Sequence, residues 1–165
     1  MEPTRKIEKV SLRNLRMEDY DQLAKSFKRI YADSDVFWTK AQIKKLITIF
    51  PEGQVVIIVD DKIVGCALSI IVNYNMVKGD HTYAQVTGNE TFNTHDPNGN
   101  ILYGIEVFIH PDYRGLRLAR RMYEYRKELC EKLNLKAIMF GGRIPNYHKY
   151  ADKMRPKEYI EHVRN

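Results

Sequence analysis

Arg114-Gly115-Leu116-Arg117-Leu118-Ala119 is the stretch whose residue types could do chemistry, and that chemistry is the binding of phosphate. The first N–H groups of a helix lack internal partners and sit at the positive end of its dipole, which makes them a seat for an anion. Gly115 lets backbone approach such an anion closely. Arg114 and Arg117 in the turn, with Arg120 and Arg121 just behind it, add guanidinium groups that match phosphate oxygens. An Arg-Gly turn by itself is common, and most charge on a helix is a solvated face, so the reading depends on the elements around it.

Those elements are a strand and a helix. Residues 101–109 are dense in Ile, Val, Tyr and Phe, and His110-Pro111-Asp112 closes the run because proline removes a ladder donor. From Leu118 the apolar residues Leu118, Met122, Tyr125, Leu129 and Leu133 form one helical stripe. Arg120, Arg121, Glu124, Lys127, Glu128, Glu131 and Lys132 occupy the other faces.

The rest of the chain supplies a frame for this unit. Residues 9–15 read as a first strand, and Glu18 and Asp19 open a helix whose buried face is Tyr20, Leu23, Ala24, Phe27, Ile30 and Tyr31. Thr39 and Gln42 form a capping box ahead of a second helix with Ile43, Leu46, Ile47 and Phe50 inward, stopped by Pro51 and Gly53. Residues 54–59 and 63–72 flank Asp60-Asp61-Lys62 as a hairpin; their apolar residues are consecutive, which predicts a sheet covered on both faces. Residues 73–100 are turn-rich, and 94–100 read as an exposed loop serving as a lid or acceptor-side wall. Residues 136–141 read as a buried strand, with 147–154 and 156–163 as short helical pieces.

Composition sets the bounds. A chain of 165 residues with 44% hydrophobic and 29% charged content is one globular domain with a real core. It has no run near the ~20 apolar residues of a membrane span and no apolar signal segment, so the expected location is cytoplasmic and no membrane partner is expected. Cys66 and Cys130 show neither metal-ligand nor disulfide spacing, so two buried reduced thiols and no metal are expected. The net charge of +6 suits an anionic partner. Nucleic acid is disfavoured, since the helix arginines alternate with glutamates and no recognition motif is present.

Val107-x-Ile109-His110-Pro111-Asp112-Tyr113-Arg114-Gly115-x-x-x-Ala119 resembles the acetyl-CoA signature of the GNAT superfamily of N-acyltransferases, Q/R-x-x-G-x-G/A after a strand ending V-x-P. Arg114 and Ala119 match its ends, and Arg117 stands where its middle glycine would be. The runs LITIFPEGQ, TGNETFNTHDPNGN, LYGIEVFIHPDYRGLRLARR and GGRIPNYHKYADKM are similar to the N-terminal acetyltransferase-like domain of bacterial proteins that join it to a carbon-nitrogen (nitrilase-type) hydrolase, a subfamily that also tends to carry arginine at that position.

The resemblance implies an α/β GNAT fold, a mixed central sheet with helices on both faces, over residues 1–165. It implies acetyl-CoA as co-substrate, held by Phe108, Ile109, Arg114, Gly115, Leu116, Arg117, Leu118, Ala119, Arg120 and Asn146, with the pantetheine arm between two splayed strands. It further implies transfer of the acyl group to a primary amine. A free amine with a pKa of about 10.4 costs roughly 4 to 5 kcal/mol to present neutral at pH 7, so a base is expected. Glu106 leads, with Glu90, His95 and Asp96 as runners-up, and a strand carboxylate paired with a nearby Arg or Lys is an equal reading of Glu106. Tyr147 or Tyr150 would protonate the leaving thiolate, and a backbone N–H near Phe108 or Ile109 would hold the oxyanion. Asp33, Asp35 and Trp38 border the expected amine pocket, where Trp38 could equally pack the core. The alternative is a non-catalytic acyl-CoA-binding module docked on or covalently joined to a C-terminal hydrolase domain. GNAT domains add two more strands after the last one read here; without them residues 136–141 form an apolar edge, which predicts self-association, as in a homodimer, or reduced stability.

Overall fold

The computed structural model describes residues 9–30, 37–78, 82–113 and 117–140. Runs of β-branched residues make β2 (Val55–Val59) and β3 (Lys62–Val72), joined through Asp60 and Asp61, both with positive φ of 48° and 68°. Left-handed residues at both turn positions match the twist of a two-residue hairpin. β1 (Val10–Asn14) pairs antiparallel with β2, and β4 (Ile101–Ile109) pairs antiparallel with β3. The helix α5 (Leu118–Lys132) then crosses over to β5 (Ala137–Phe140), which lies parallel to β4 and completes the order β1-β2-β3-β4-β5.

The consecutive apolar residues of the strands are covered on both faces, as their pattern requires. On one face, α1 (Tyr20–Ile30) and α2 (Lys40–Ile49) bury Leu23, Phe27, Ile43 and Leu46 against Cys66, Leu68, Ile105 and Phe108. On the other, Leu118 and Met122 of α5 pack on Val55, Ile57, Val64 and Ala67, and Leu129 packs on Ile71 and Leu102. Cys66 and Cys130 are both free and buried.

The loop between β3 and β4 contains more structure than its turn-rich sequence predicts: α3 (Tyr74–Val77) and α4 (Tyr83–Thr87). Thr82 and Gln85 form the capping box that opens α4, and Gly88 ends it at φ 62°. Further on, the loop takes over a strand's job. β2 ends at Val55 opposite Ala67, while β3 runs on to Val72. The buried side chain of Gln54 donates to Ser69 O (2.7 Å) and Phe50 O (3.0 Å) and accepts from Ser69 N (3.0 Å). Beyond it, Ile71 N donates to His95 Nδ1 (3.0 Å) and Asp96 N donates to Ile71 O (2.8 Å). This satisfies the β3 backbone where no strand stands beside it. The two helical pieces read at 147–154 and 156–163 lie outside the described residues.

Candidate functional site

A bulge in β4 organises the site. Glu106 lies opposite Leu68, but Ser69 lies opposite Gly104, so Ile105 is an extra residue in β4. The pairing of β4 with β5 runs from Ile101–Ala137 to Gly104–Phe140 and goes no further among the described residues. From the bulge onward, residues 105–109 have β3 on one side and, among the described residues, a gap on the other.

Backbone parity says which donors face that gap. His110 N donates to Val64 O (2.7 Å), so it points toward β3. N–H directions alternate along a strand, so Ile109 and Val107 point into the gap and Phe108 points to β3. Of the two expected oxyanion donors, the Ile109 N–H points away from β3 and the Phe108 N–H points toward it; the Val107 N–H points the same way as that of Ile109.

Glu106 shares the face of its partner Leu68, the side covered by α1 and α2, and is 1% exposed. Burial, reinforced by the negative charge of Glu106, pushes the neighbouring Cys66 thiol well above its usual value. On the opposite face of the same bulge lies Arg126 of α5. Its Nη2 donates to Leu68 O (2.9 Å) and Glu106 O (3.3 Å), holding the carbonyls that the bulge takes out of register. Burial lowers the guanidinium to about 10, so it stays a cation at neutral pH. The sequence did contain a signal: Arg126 stands four residues after Met122 and three before Leu129, inside the apolar stripe of α5.

The turn expected to hold phosphate is described from Arg117 onward, with Arg114, Gly115 and Leu116 outside the described residues. Arg117 caps α5 at φ 58°, ψ 26° and so holds the left-handed backbone that a glycine would adopt most easily. Leu118 is buried, while Ala119 and Arg120 are exposed and Arg120 Nε lies 3.4 Å from Glu124. Arg121 Nη1 donates to Val10 O (3.4 Å).

The other candidates separate. Tyr147, Tyr150, Asn146, Asp33 and Asp35 lie outside the described residues. Trp38 is 7% exposed and packs its ring 5.5 Å from that of Phe92. Glu90 is exposed on a positive-φ turn. His95 lies on the edge of β3 away from β4, about 10 Å along the strand from the Leu68–Glu106 pair at ~3.4 Å per residue. Its Nδ1 is committed to Ile71 N–H and its ring stacks on Phe50 at 5.2 Å. That bond requires an unprotonated Nδ1, and burial lowers the imidazole below its usual range. Asp96 Oδ1 accepts from Asn98 N. Among the described residues, no group of three His, Cys, Asp or Glu could hold a metal, and no helix is long and apolar enough to cross a membrane.

Residues 11–151 match the model of the Acetyltransferase (GNAT) family. The chain is 38% identical over 160 residues to the Probable hydrolase YhcX of Bacillus subtilis (strain 168), covering 97% of this chain and 31% of that protein. It is 31% identical over 162 residues to the Uncharacterized N-acetyltransferase YkwB of the same organism, covering 96% and 72%. It therefore spans about a third of the hydrolase's length. Among solved structures, the loading GNATL domain of CurA from Lyngbya majuscula superposes with a TM-score of 0.71 at 22% identity, over 93% of this chain and 74% of that one. The GphF GNAT-like decarboxylase in complex with isobutyryl-CoA gives 0.67 at 17%, over 92% and 76%.

Proposed function

The chain belongs to the GNAT acetyltransferase family, and from that premise we propose that it transfers the acyl group of an acyl-CoA, acetyl-CoA being the simplest donor, to a primary amine. The observation that supports the reading is the bulge in β4, beyond which no described residue pairs with that edge of the strand and the N–H groups of Val107 and Ile109 turn away from β3. A pantetheine arm there completes the sheet as an added strand would, through its amides. Its phosphates extend toward Arg114–Arg120 at the start of α5, where the helix dipole and the arginines meet them.

Glu106 takes a proton from the ammonium of the acceptor, and the amine nitrogen attacks the thioester carbonyl carbon. Charge develops on the carbonyl oxygen, where Val107 or Ile109 N–H donates to it. The C–S bond breaks, the departing thiolate takes a proton from Tyr147 or Tyr150, and the remaining excess proton on the new amide nitrogen passes through solvent to that tyrosinate, restoring it. Calorimetric titration with acetyl-CoA tests the binding half, and thiol release over a panel of amines tests the transfer half. No heat and no thermal shift at millimolar acetyl-CoA would remove the reading.

A second reading, an acyl-CoA-binding module joined to a hydrolase, is supported by the probable hydrolase that is 38% identical and about three times as long. Binding without turnover on any amine would favour it.

A further inference from the structure

Arg126 is 2% exposed and is the only buried cationic side chain among the described residues. Its Nη2 serves the two bulge carbonyls, but Nε and Nη1 are buried with no hydrogen-bond partner among the described residues. Buried donors left unmade are costly. Holding two carbonyls needs one terminal nitrogen. The rest of the guanidinium is unaccounted for.

Its position suggests what the remaining donors serve. Nη1 stands 2.7 Å from where a Cβ on Gly104 would be, so any side chain at 104 would collide with it. The guanidinium carbon lies 5.1 Å from the centre of the Phe140 ring. Gly104 and Phe140 are the last β4–β5 pair among the described residues, so the unused nitrogens lie beside the bulge, at the closed end of the gap that those residues leave. Phe140 is 44% exposed, so one side chain separates the cation from solvent. Nine residues of α5 separate Arg117 from Arg126, about 13 Å at 1.5 Å per residue, comparable to an extended pantetheine arm. A thioester beside Val107 and Ile109 would then direct its acyl group toward Gly104.

We propose that Arg126 forms a carboxylate subsite at the closed end of the gap, so that the preferred donors are acyl-CoAs whose short acyl group itself ends in a carboxylate. This rests on the acyl-CoA reading above and names its donor class. The carboxylate takes up Nη1 and neutralises the buried charge through charge-assisted hydrogen bonds, which an uncharged acyl chain cannot do.

The test is calorimetric titration of the full chain, without amine, using malonyl-CoA, succinyl-CoA and the uncharged four-carbon butyryl-CoA. The expected result is binding of at least one carboxyacyl-CoA about tenfold or more tighter than butyryl-CoA. In Arg126→Met the ratio should collapse to about one while butyryl-CoA affinity stays within roughly threefold, and Arg126→Lys should keep part of the preference. An Arg126 that merely supports the bulge would shift all affinities together. A wild-type ratio of one or less, with all three bound, overturns the subsite and leaves the acyl-CoA reading standing. A tenfold ratio untouched in both variants also overturns it. If no CoA thioester binds at millimolar concentration, the acyl-CoA reading falls and the subsite with it. Should Arg126→Met fail to fold, the wild-type ratio and Arg126→Lys decide.

Discussion

β3 outruns β2 over residues 68–72, and among the described residues β4 outruns β5 over residues 105–109. Both overhangs leave strand backbone with no strand beside it. At the first, the chain fills the space itself, with the Gln54 amide on Ser69 and with His95 and Asp96 on Ile71. At the second, Val107 and Ile109 face a gap that the described residues do not fill. The chain settles this itself at the first edge, and the second edge is the one where the acyl-CoA is proposed to bind.

The largest expected effect breaks the filled edge. Gln54→Ala leaves Ser69 N and Ser69 O buried without their partner, while Phe50 O keeps Gly53 N–H, and should lower stability by about 3 to 4 kcal/mol at 1–3 per orphaned group. Urea unfolding measures it, and acetyl-CoA affinity of the folded fraction should not change. The next effect belongs to the open edge. Glu106→Gln keeps shape but removes the base, so kcat should fall by about 10²-fold with acyl-CoA affinity unchanged; undiminished turnover across pH would remove Glu106 from the chemistry.

The filled edge should also respond to pH. The His95 pKa is lowered by burial, with Asp96 and Glu52 opposing. A histidine whose folded pKa lies below its unfolded value contributes stability that is complete above about 6.5 and lost as pH falls through the folded pKa. Melting temperature should therefore drop between pH 7 and pH 5, and His95→Gln should flatten that slope. The smallest effect sharpens the open edge: Arg117→Gly relieves a left-handed backbone and should stabilise the chain by about 1 kcal/mol, while loss of the cation weakens acetyl-CoA binding a few-fold in low salt.

The strand, proline stop and helix were legible because their periods are strong, and so was a sheet covered on both faces, because β2 and β3 are apolar at consecutive positions. The bulge was not, since nothing in the composition of residues 101–109 marks Ile105 as the extra residue; only the pairing with β3 does. Without the bulge, the direction of every later N–H is ambiguous, so composition alone does not distinguish Phe108 from Val107 and Ile109 as groups facing away from β3. Arg126 and Gln54 are polar side chains whose partners are distant backbone groups, and a local reading does not find such contacts. The capping box at Thr82 and Gln85 could have revealed α4, although a helix this short has little periodicity of its own.

Amide hydrogen exchange across the two overhangs, resolved residue by residue with and without saturating acetyl-CoA, tests the central contrast most directly. The account predicts Ser69, Ile71 and Phe108 protected throughout, and Val107 and Ile109 exchanging fast in the free protein and slowing by about tenfold or more when the ligand binds. Val107 and Ile109 already as slow as Ser69 in the free protein, or unmoved by bound acetyl-CoA, would contradict it.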